Sequence, residues 1–320
     1  MDLQADPKMS KSTFPKTVDH PMTVADLVAR HPVKPVSISG DRNATIASIG
    51  NPENADAGSI IFIDGAGPAA EARAGRTPAG IIVRKGDGAV SPGSCHIRSD
   101  DPRAWFIAAL SLLYRPAPPA AADPSARIDP TARLGRDCRV GPFAVIEAGV
   151  EIGDGASIGA HSLVLAGSRI GARAAIQHHV TIGSEGVAFH RDDAGQWHFF
   201  PHQGRVLIGD DVAIGSQSVI TRGMLQDTVI GKGSKLGSFV NVGHNCTIGE
   251  NCWLSAKVVL AGGARLADEV RLAASVSVSD RVTIGRGARI GLGSVVTKDV
   301  PDGATMFGNP ARPLRTMRAF

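Results

Sequence analysis

A histidine in the segment G-H-N-C-T-I-G is the side chain best suited by type to acid–base chemistry. His244 lies two residues after the apolar Val242. An imidazole titrates near neutral pH, so it can accept the proton that an amine or hydroxyl loses on attacking a carbonyl group, such as that of a thioester. Two interpretations follow: a general base for an attack of this kind, or a surface histidine without a role.

A second candidate lies three intervals of six after the histidine. Position 262 is glycine, within L-A-G-G. A missing side chain there would leave space for a thioester beside the base, and its N–H could stabilise the oxyanion of a tetrahedral intermediate. Alternatively, Gly262 simply makes a corner of the chain. Three further intervals lead to Asp280.

Residues 183–205 concentrate aromatic and imidazole side chains. Phe189, Trp197 and His202 are the members that we expect to bind a sugar or an acyl chain. The alternative is that they pack this segment onto its own surroundings or onto a neighbouring subunit. Loops that leave a rigid scaffold often carry its binding function.

Other histidines raise the question of a metal site. His178 and His179 are adjacent, and they either face a neighbouring subunit's His244 or belong to a polar surface. A zinc hydratase would need three converging histidines. The candidates are His178, His179, His202 and His244. Because no spacing typical of zinc ligands is present, we predict no metal.

The scaffold that must position these residues follows from a strict period of six. Aliphatic residues occupy 25 such positions, in runs from Ile128 to Ile182, Ile208 to Ile220 and Ile230 to Val296. Neither an α-helix, with a period of 3.6, nor a simple strand, with a period of 2, needs this spacing. A hexapeptide repeat is the signature of a parallel β-helix, with one short strand and one corner in each repeat.

The 320 residues divide into segments of different composition. We expect helices near 22–31 and 101–114, with strands near 46–49, 59–63 and 80–83 between them. The predicted organisation is a disordered start (1–21), a small α/β substrate-binding domain (22–115), a Pro/Ala linker (116–124), the β-helix (125–300, with the loop 183–205) and a C-terminal cap or tail (301–320).

Bulk composition excludes several classes of function. A net charge of +4 is too diffuse to favour nucleic acid, although a phosphate-bearing ligand fits it. The four cysteines lack a disulfide-like spacing, so a reduced cytoplasmic protein is expected. No apolar run is long enough to span a membrane, which leaves peripheral contact with its surface open.

Several motifs resemble one family in particular. V-T-I-G-S-E-G-V-A-F, W-H-F-F-P-H-Q-G-R-V-L-I-G, T-R-G-M-L-Q-D-T-V-I-G and V-G-H-N-C-T-I-G are similar to segments of the UDP-3-O-acylglucosamine N-acyltransferases of lipid A synthesis. The resemblance covers about residues 22–300. It implies a mainly β protein with a left-handed parallel β-helix, assembled as a homotrimer with active sites between subunits. It also implies transfer of an acyl chain from acyl carrier protein to the amine of a UDP-sugar, with no bound cofactor and His244 as general base.

Some positions depart from the family. Asp280 stands where the family has a second histidine, and we expect it, with Asn245, to contact substrate. Phe62 matches a base-stacking aromatic of the family, without the tyrosine that follows it there; it either stacks on the base or belongs to the core.

The end of the chain resembles a different group of enzymes. V-V-T-K-D-V-P-D-G-A-T-M-F-G-N-P-A-R is similar to the last coil of coenzyme A-dependent sugar acetyltransferases. By that resemblance Lys298 and Arg312 would bind phosphates of the acyl donor; otherwise they are solvated surface charges. The alternative function is therefore a coenzyme A-dependent short-chain N- or O-acyltransferase acting on another sugar or a non-sugar acceptor.

Overall fold

The six-residue period of the sequence becomes a three-sided solenoid. The computed structural model describes residues 16–51, 54–63, 77–85, 93–114 and 122–313. From residue 122 onwards, very short strands alternate with corners, and the strands of the regular coils pair in parallel with the strand one coil later. Three parallel sheets result, which we call faces A, B and C. Among the described strands of this unit, only β17 (Phe189–Arg191) with β18 (Trp197–Phe199) and β34 (Thr305–Phe307) with the final strand β35 (Arg312–Pro313) pair antiparallel.

Each face is built from one strand per coil. Face A contains β7 (Arg127–Ile128), β10 (Val145–Ile146), β13 (Leu163–Val164), β16 (Thr181–Ser184), β21 (Val219–Thr221), β24 (Asn241–Val242), β27 (Val259–Leu260), β30 (Ser277–Val278) and β33 (Val295–Val296). Face B contains β8 (Arg133–Leu134), β11 (Glu151–Ile152), β14 (Arg169–Ile170), β19 (Val206–Ile208), β22 (Thr228–Ile230), β25 (Thr247–Ile248), β28 (Arg265–Leu266) and β31 (Thr283–Ile284). Face C contains β9 (Arg139–Val140), β12 (Ser157–Ile158), β15 (Ala175–Ile176), β20 (Ala213–Ile214), β23 (Lys235–Leu236), β26 (Trp253–Leu254), β29 (Arg271–Leu272), β32 (Arg289–Ile290), β34 (Thr305–Phe307) and β35 (Arg312–Pro313).

The periodic aliphatic residues fill the interior of this solenoid. Val242, Ile248 and Leu254 lie on successive faces of one coil and are 0%, 1% and 0% exposed. Burying such a side chain contributes about 1.5–3 kcal/mol before the cost of ordering the backbone. The expected fold class is confirmed: the protein is mainly β, and the solenoid is a left-handed parallel β-helix.

Two insertions interrupt the coils, and both leave the solenoid between face A and face B. In a regular coil, paired residues are three hexads apart, as Val242 and Leu260 are. Ile182 pairs with Ile220, and Ile220 pairs with Val242, so both of these coils are longer than three hexads. The first insertion carries the hairpin of β17 (Phe189–Arg191) and β18 (Trp197–Phe199). We call the edge between faces A and B the insertion corner.

The chain divides into two units, Met1–Pro118 and Pro119–Phe320. The first has a mixed sheet in the order β1 (Lys16–Thr23), β3 (Thr45–Ile49), β4 (Ser59–Phe62), β5 (Gly80–Arg84), β6 (Cys95–Ser99) and β2 (Ser37–Ser39). Helices α1 (Val24–Arg30) and α2 (Pro102–Leu113) belong to the same unit. Thr23 and Asp101 cap their N-termini by accepting backbone N–H groups. Trp105 of α2 is 2% exposed in this unit's core.

The predicted elements and the structure differ at several places. The prediction of disorder is wrong for residues 16–21, because β1 pairs there with β3 and buries Val18; residues 1–15 lie outside the described residues. The predicted linker overlaps the first coil, since Ala122 already bridges to Val140. Strands β2 and β6 were not predicted. In the expected cap, β34 continues face C, while 314–320 lie outside the described residues.

Candidate active site

The insertion corner brings the candidate residues into one column. Because Val242, Leu260 and Val278 pair in register, the residues two positions after each, His244, Gly262 and Asp280, follow one another at this corner. Both insertions lie at the same corner in the preceding coils. The irregular segments of the solenoid therefore adjoin its candidate base.

The His244 ring is held in one tautomer by its sequence neighbour. His244 Nδ1 lies 2.7 Å from Asn245 Oδ1, and the Met224 backbone N–H also donates to that oxygen, at 3.2 Å. Because a carboxamide oxygen only accepts, Nδ1 must carry a proton and donate it, so that in the neutral ring Nε2 is the nitrogen with the free lone pair. Asn245 is itself fixed by its N–H, which donates to Thr228 Oγ1 at 2.9 Å. The half-buried imidazole is thus oriented to act as a base through Nε2.

Gly262 provides the space that the imidazole occupies. A Cβ added at Gly262 would lie 2.6 Å from both Nε2 and Cε1 of His244. We expected this space to admit a thioester, whereas the structure fills it with the ring of His244 itself. The Gly262 N–H donates to no acceptor among the described residues, so it remains available to an oxyanion.

His202 approaches the base from the first insertion. Its ring meets His244 edge-on with centroids 5.7 Å apart, and it is 2% exposed. Nδ1 donates to the Phe200 carbonyl at 3.1 Å, while Nε2 has no hydrogen-bond partner among the described residues. Burial lowers the pKa of His202 from its ordinary value of 6.5, and the charge of the neighbouring His244 is the second cause of this lowering. The lowered pKa favours the neutral form of the imidazole that lies beside the candidate base.

The two insertions hold each other in place. The N–H groups of Gln203 and Gly204 donate to the Met224 carbonyl at 2.7 and 3.1 Å. Arg205 and Asp227 form an ion pair at 3.1 Å, reinforced by a bond of 2.8 Å from the Arg205 N–H. These backbone and charge contacts fix His202 next to the coil of His244.

Aromatic rings continue from His202 into the hairpin of the first insertion. Phe199 lies 6.0 Å from His202 and 5.4 Å from Phe189, measured between ring centroids. Trp197 is 67% exposed, and its ring lies 5.9 Å from the Arg191 guanidinium carbon. The expected residues Phe189 and His202 thus belong to one series of rings that ends at His244, whereas Trp197 lies on the exposed part of the hairpin.

A cavity of about 420 Å³ opens next to the base. Its lining comes from the second insertion, the insertion corner and face B: Met224, Gln226, His244, Asn245, Gly262, Gly263, Arg265, Arg281 and Thr283. Arg265 and Arg281 were not predicted from the sequence, although counting two coils onwards from Asn245 leads to Arg281. Met224 and Gln226 belong to an insertion without a period, so no spacing could have indicated them.

Comparison with known proteins identifies relatives of this chain. The family model "Bacterial transferase hexapeptide (six repeats)" matches residues 131–166 and 227–262, which include His244 and Gly262. UDP-3-O-acylglucosamine N-acyltransferase of Leptothrix cholodnii is 34% identical over 234 residues, covering 64% of this chain and 66% of that protein. The enzyme of the same name from Dechloromonas aromatica is 50% identical over 66 residues, 21% of this chain and 19% of that protein. This chain is a hexapeptide-repeat relative of the UDP-3-O-acylglucosamine N-acyltransferases.

Solved structures that are similar to this chain have the same type of solenoid. UDP-N-acetylglucosamine acyltransferase of Francisella novicida matches with a TM-score of 0.56 and 25% identity, over 60% of this chain and 69% of that one. The protein of the same name from Bacteroides fragilis matches with a TM-score of 0.54 and 27% identity, over 60% and 73%. The chain spans just under two thirds of the length of the Leptothrix relative.

Three residues predicted from the sequence to contact substrate or donor are not part of the cavity lining. Asp280 is exposed and follows Gly262 in the column, yet it is absent from the cavity lining formed by the described residues. Lys298 and Arg312 are exposed and do not contribute to that lining either. Their expected contacts with substrate or donor remain predictions.

Phe62 belongs to the N-terminal unit. It is half-buried at the end of β4, and its ring lies 4.9 Å from that of Phe106 in α2. This contact explains the residue as part of that unit's core, while base stacking by its exposed part remains a prediction.

Three further histidines, His161, His178 and His179, lie at the corner between faces C and A. His179 stacks on His161 at 4.9 Å, and the His178 Nδ1 accepts the Ala160 N–H at 3.0 Å. Within the described residues, no group of three His, Cys, Asp or Glu side chains is placed to hold a metal ion. The described part of the chain also has no helix that is long and apolar enough to cross a membrane.

Proposed function

We propose that this protein is an acyltransferase that moves an acyl group from a phosphopantetheine thioester to the amine of a nucleotide-linked amino sugar. The observation that carries the proposal is the fixed orientation of His244, with Nδ1–H bonded to Asn245 and Nε2 facing the cavity corner at Gly262. The names of the sequence relatives support this class of reaction.

In the proposed reaction the acceptor amine attacks the thioester carbonyl. A carbon–nitrogen bond forms while His244 Nε2 removes one proton from the amine. The carbonyl oxygen becomes an oxyanion, for which the unpaired Gly262 N–H is the proposed donor. The tetrahedral intermediate then collapses, the carbon–sulfur bond breaks, and the proton held by His244 passes to the thiolate.

The insertions supply the proposed binding surface around this centre. Phe189 and Phe199 present rings that an acyl chain or sugar can cover, while His202 keeps a neutral environment beside the base. Four unpaired, buried cysteines support a reducing compartment, and we place the reaction in the cytoplasm.

We also propose a homotrimer whose subunits meet through face A. The outward residues of that face are uncharged from β10 to β33: Val145, Leu163, Thr181, Val219, Asn241, Val259, Ser277 and Val295. Leu163 and Val259 are 40% and 42% exposed in the single chain. A charge-free stripe of this kind is typical of an interface between copies. Sedimentation equilibrium that gives a monomer at micromolar concentration would contradict this assembly.

The function is tested by incubating the protein with UDP-amino sugars and with acyl thioesters of acyl carrier protein and coenzyme A. We expect thiol release that depends on both substrates, and a loss of about 100-fold or more in turnover for His244→Ala with an unchanged melting temperature. Release with short coenzyme A donors and no UDP-amino sugar would instead establish the alternative acyltransferase. Undiminished turnover in His244→Ala would refute the assigned base.

A further inference from the structure

The cavity beside His244 contains two arginines whose guanidinium groups have no partner in the described part of the chain. Arg265 and Arg281 make no ion pair or side-chain hydrogen bond with any described residue. Other arginines of the solenoid do form ion pairs, among them Arg136, Arg169, Arg173, Arg205 and Arg286. The cavity lining has no carboxylate among the described residues. It therefore carries an uncompensated positive charge.

Arg281 differs from another arginine at an equivalent place in the coils. Arg173 occupies a comparable corner position and binds Asp211, one coil later, through two contacts of 2.7 Å. The residue one coil after Arg281 is Asp299, which instead accepts the Thr283 N–H at 2.8 Å. The carboxylate one coil after Arg281 therefore accepts a backbone N–H, and it forms no ion pair with Arg281 in the described structure.

A glycine directs the Arg281 side chain towards the base. Gly263 stands between Asn245 and Arg281 in their column, and a Cβ added to it would lie 3.3 Å from the Arg281 side chain. The aliphatic part of Arg281 therefore passes over Gly263, in the direction of the coil of His244. Arg265 reaches the same cavity from the outward position of β28.

Two unpaired guanidinium groups in one cavity favour a phosphate ligand. Their planar donors match phosphate oxygens in pairs, and charge-assisted bonds of this kind are stronger than neutral ones. We propose that Arg265 and Arg281 form a phosphate-binding subsite beside His244. The subsite rests on the proposed function, in which both substrates carry phosphate: the acceptor as a nucleotide diphosphate and the donor as a phosphopantetheine.

Direct binding measurements separate these two sources. Calorimetric titrations compare UDP with uridine, and 4′-phosphopantetheine with pantetheine, on the wild type and on the variant Arg265→Gln/Arg281→Gln. We expect the variant to lose about tenfold or more in affinity for one of the two phosphorylated ligands, and little for the unphosphorylated ones. The control Arg127→Gln/Arg139→Gln removes the same charge from the first coil, outside this cavity, and should bind like the wild type.

Each outcome has one meaning. A loss in the UDP arm assigns the subsite to the acceptor, and a loss in the phosphopantetheine arm assigns it to the donor. Equal affinities of wild type and variant in both arms overturn the subsite. Binding requires no turnover, so the subsite and the proposed function are tested separately. If the wild type binds a phosphorylated ligand through these arginines but transfers no acyl group, the proposed function is refuted and the subsite is retained. Arg281→Gln serves as a single variant if the double variant melts early.

Discussion

Replacing Gly262 by alanine tests whether this position is needed for the placement of the base. The new Cβ would lie 2.6 Å from His244 Nε2, closer than Cβ contacts in real proteins. The backbone of Gly262 lies outside the left-handed region, so alanine adds no strain to the chain itself. The imidazole must therefore turn away and lose its hydrogen bond of 2.7 Å to Asn245.

The expected cost is that of a misplaced general base. Such a group contributes about 100- to 10,000-fold to a rate, which corresponds to about 3–5 kcal/mol of transition-state stabilisation. Stability should change little, because a half-buried ring can rotate towards the cavity without repacking the interior of the coil. Gly262→Ala also retains its N–H, so an effect of this size would come from the base and not from a lost oxyanion donor.

A double-mutant cycle provides the decisive measurement. Thiol release is followed for the wild type, Gly262→Ala, His244→Ala and the double variant, with melting temperatures as a check on folding. If alanine acts by displacing the imidazole, it should cost nothing further once His244 is gone. Additive losses in the double variant, or full activity in Gly262→Ala, would refute this reasoning.

Two further outcomes concern stability. Because the folded-state pKa of His202 lies below 6.5, the unfolded chain binds more protons as the pH falls through that value, and the wild type should lose stability between pH 8 and pH 5. In thermal melts, the variant His202→Gln should lose less stability than the wild type between pH 8 and pH 5. An equal loss of stability in the two proteins would contradict a lowered pKa of the buried His202. Leu254→Ala, at 0% exposure, should cost about 2–5 kcal/mol of unfolding free energy, whereas Trp253→Ala, at 58%, should cost less than about 1 kcal/mol in urea titrations. Similar costs for the two would contradict the inward and outward assignment.

The solenoid was predictable because each of its coils repeats one local rule. An apolar residue every six positions specifies which side chain points inwards, and Ile128 to Val296 follow that rule on all three faces. The N-terminal sheet follows no such rule. Its strand β1 alternates polar and apolar residues weakly, and it is held by pairing with β3 and by burial of Val18 and Met22 in the unit's core. Contacts between such distant segments are not visible in a local pattern.

The active-site column was predictable to the same extent as the period. Counting in units of three hexads gave the neighbourhood of His244 and Gly262, and the register of β24 with β27 confirms it. The same count gave no information on side-chain direction. Gly262 was expected to admit a thioester, whereas the imidazole fills that space, because the outcome depends on the rotamer that Asn245 imposes.

The position of the insertions follows from the same arithmetic. An insertion of three whole hexads would add another coil, and all inward residues would keep their places. The two insertions instead lengthen their own coils beyond three hexads, and neither excess is a multiple of six. Absorbing such an excess would turn apolar residues outwards, so the extra chain must leave the solenoid at a corner. Because both insertions leave at the corner that also holds His244, they enclose the base with Met224, Gln226 and His202. The repeat therefore specifies the column, and the two departures from it create the site.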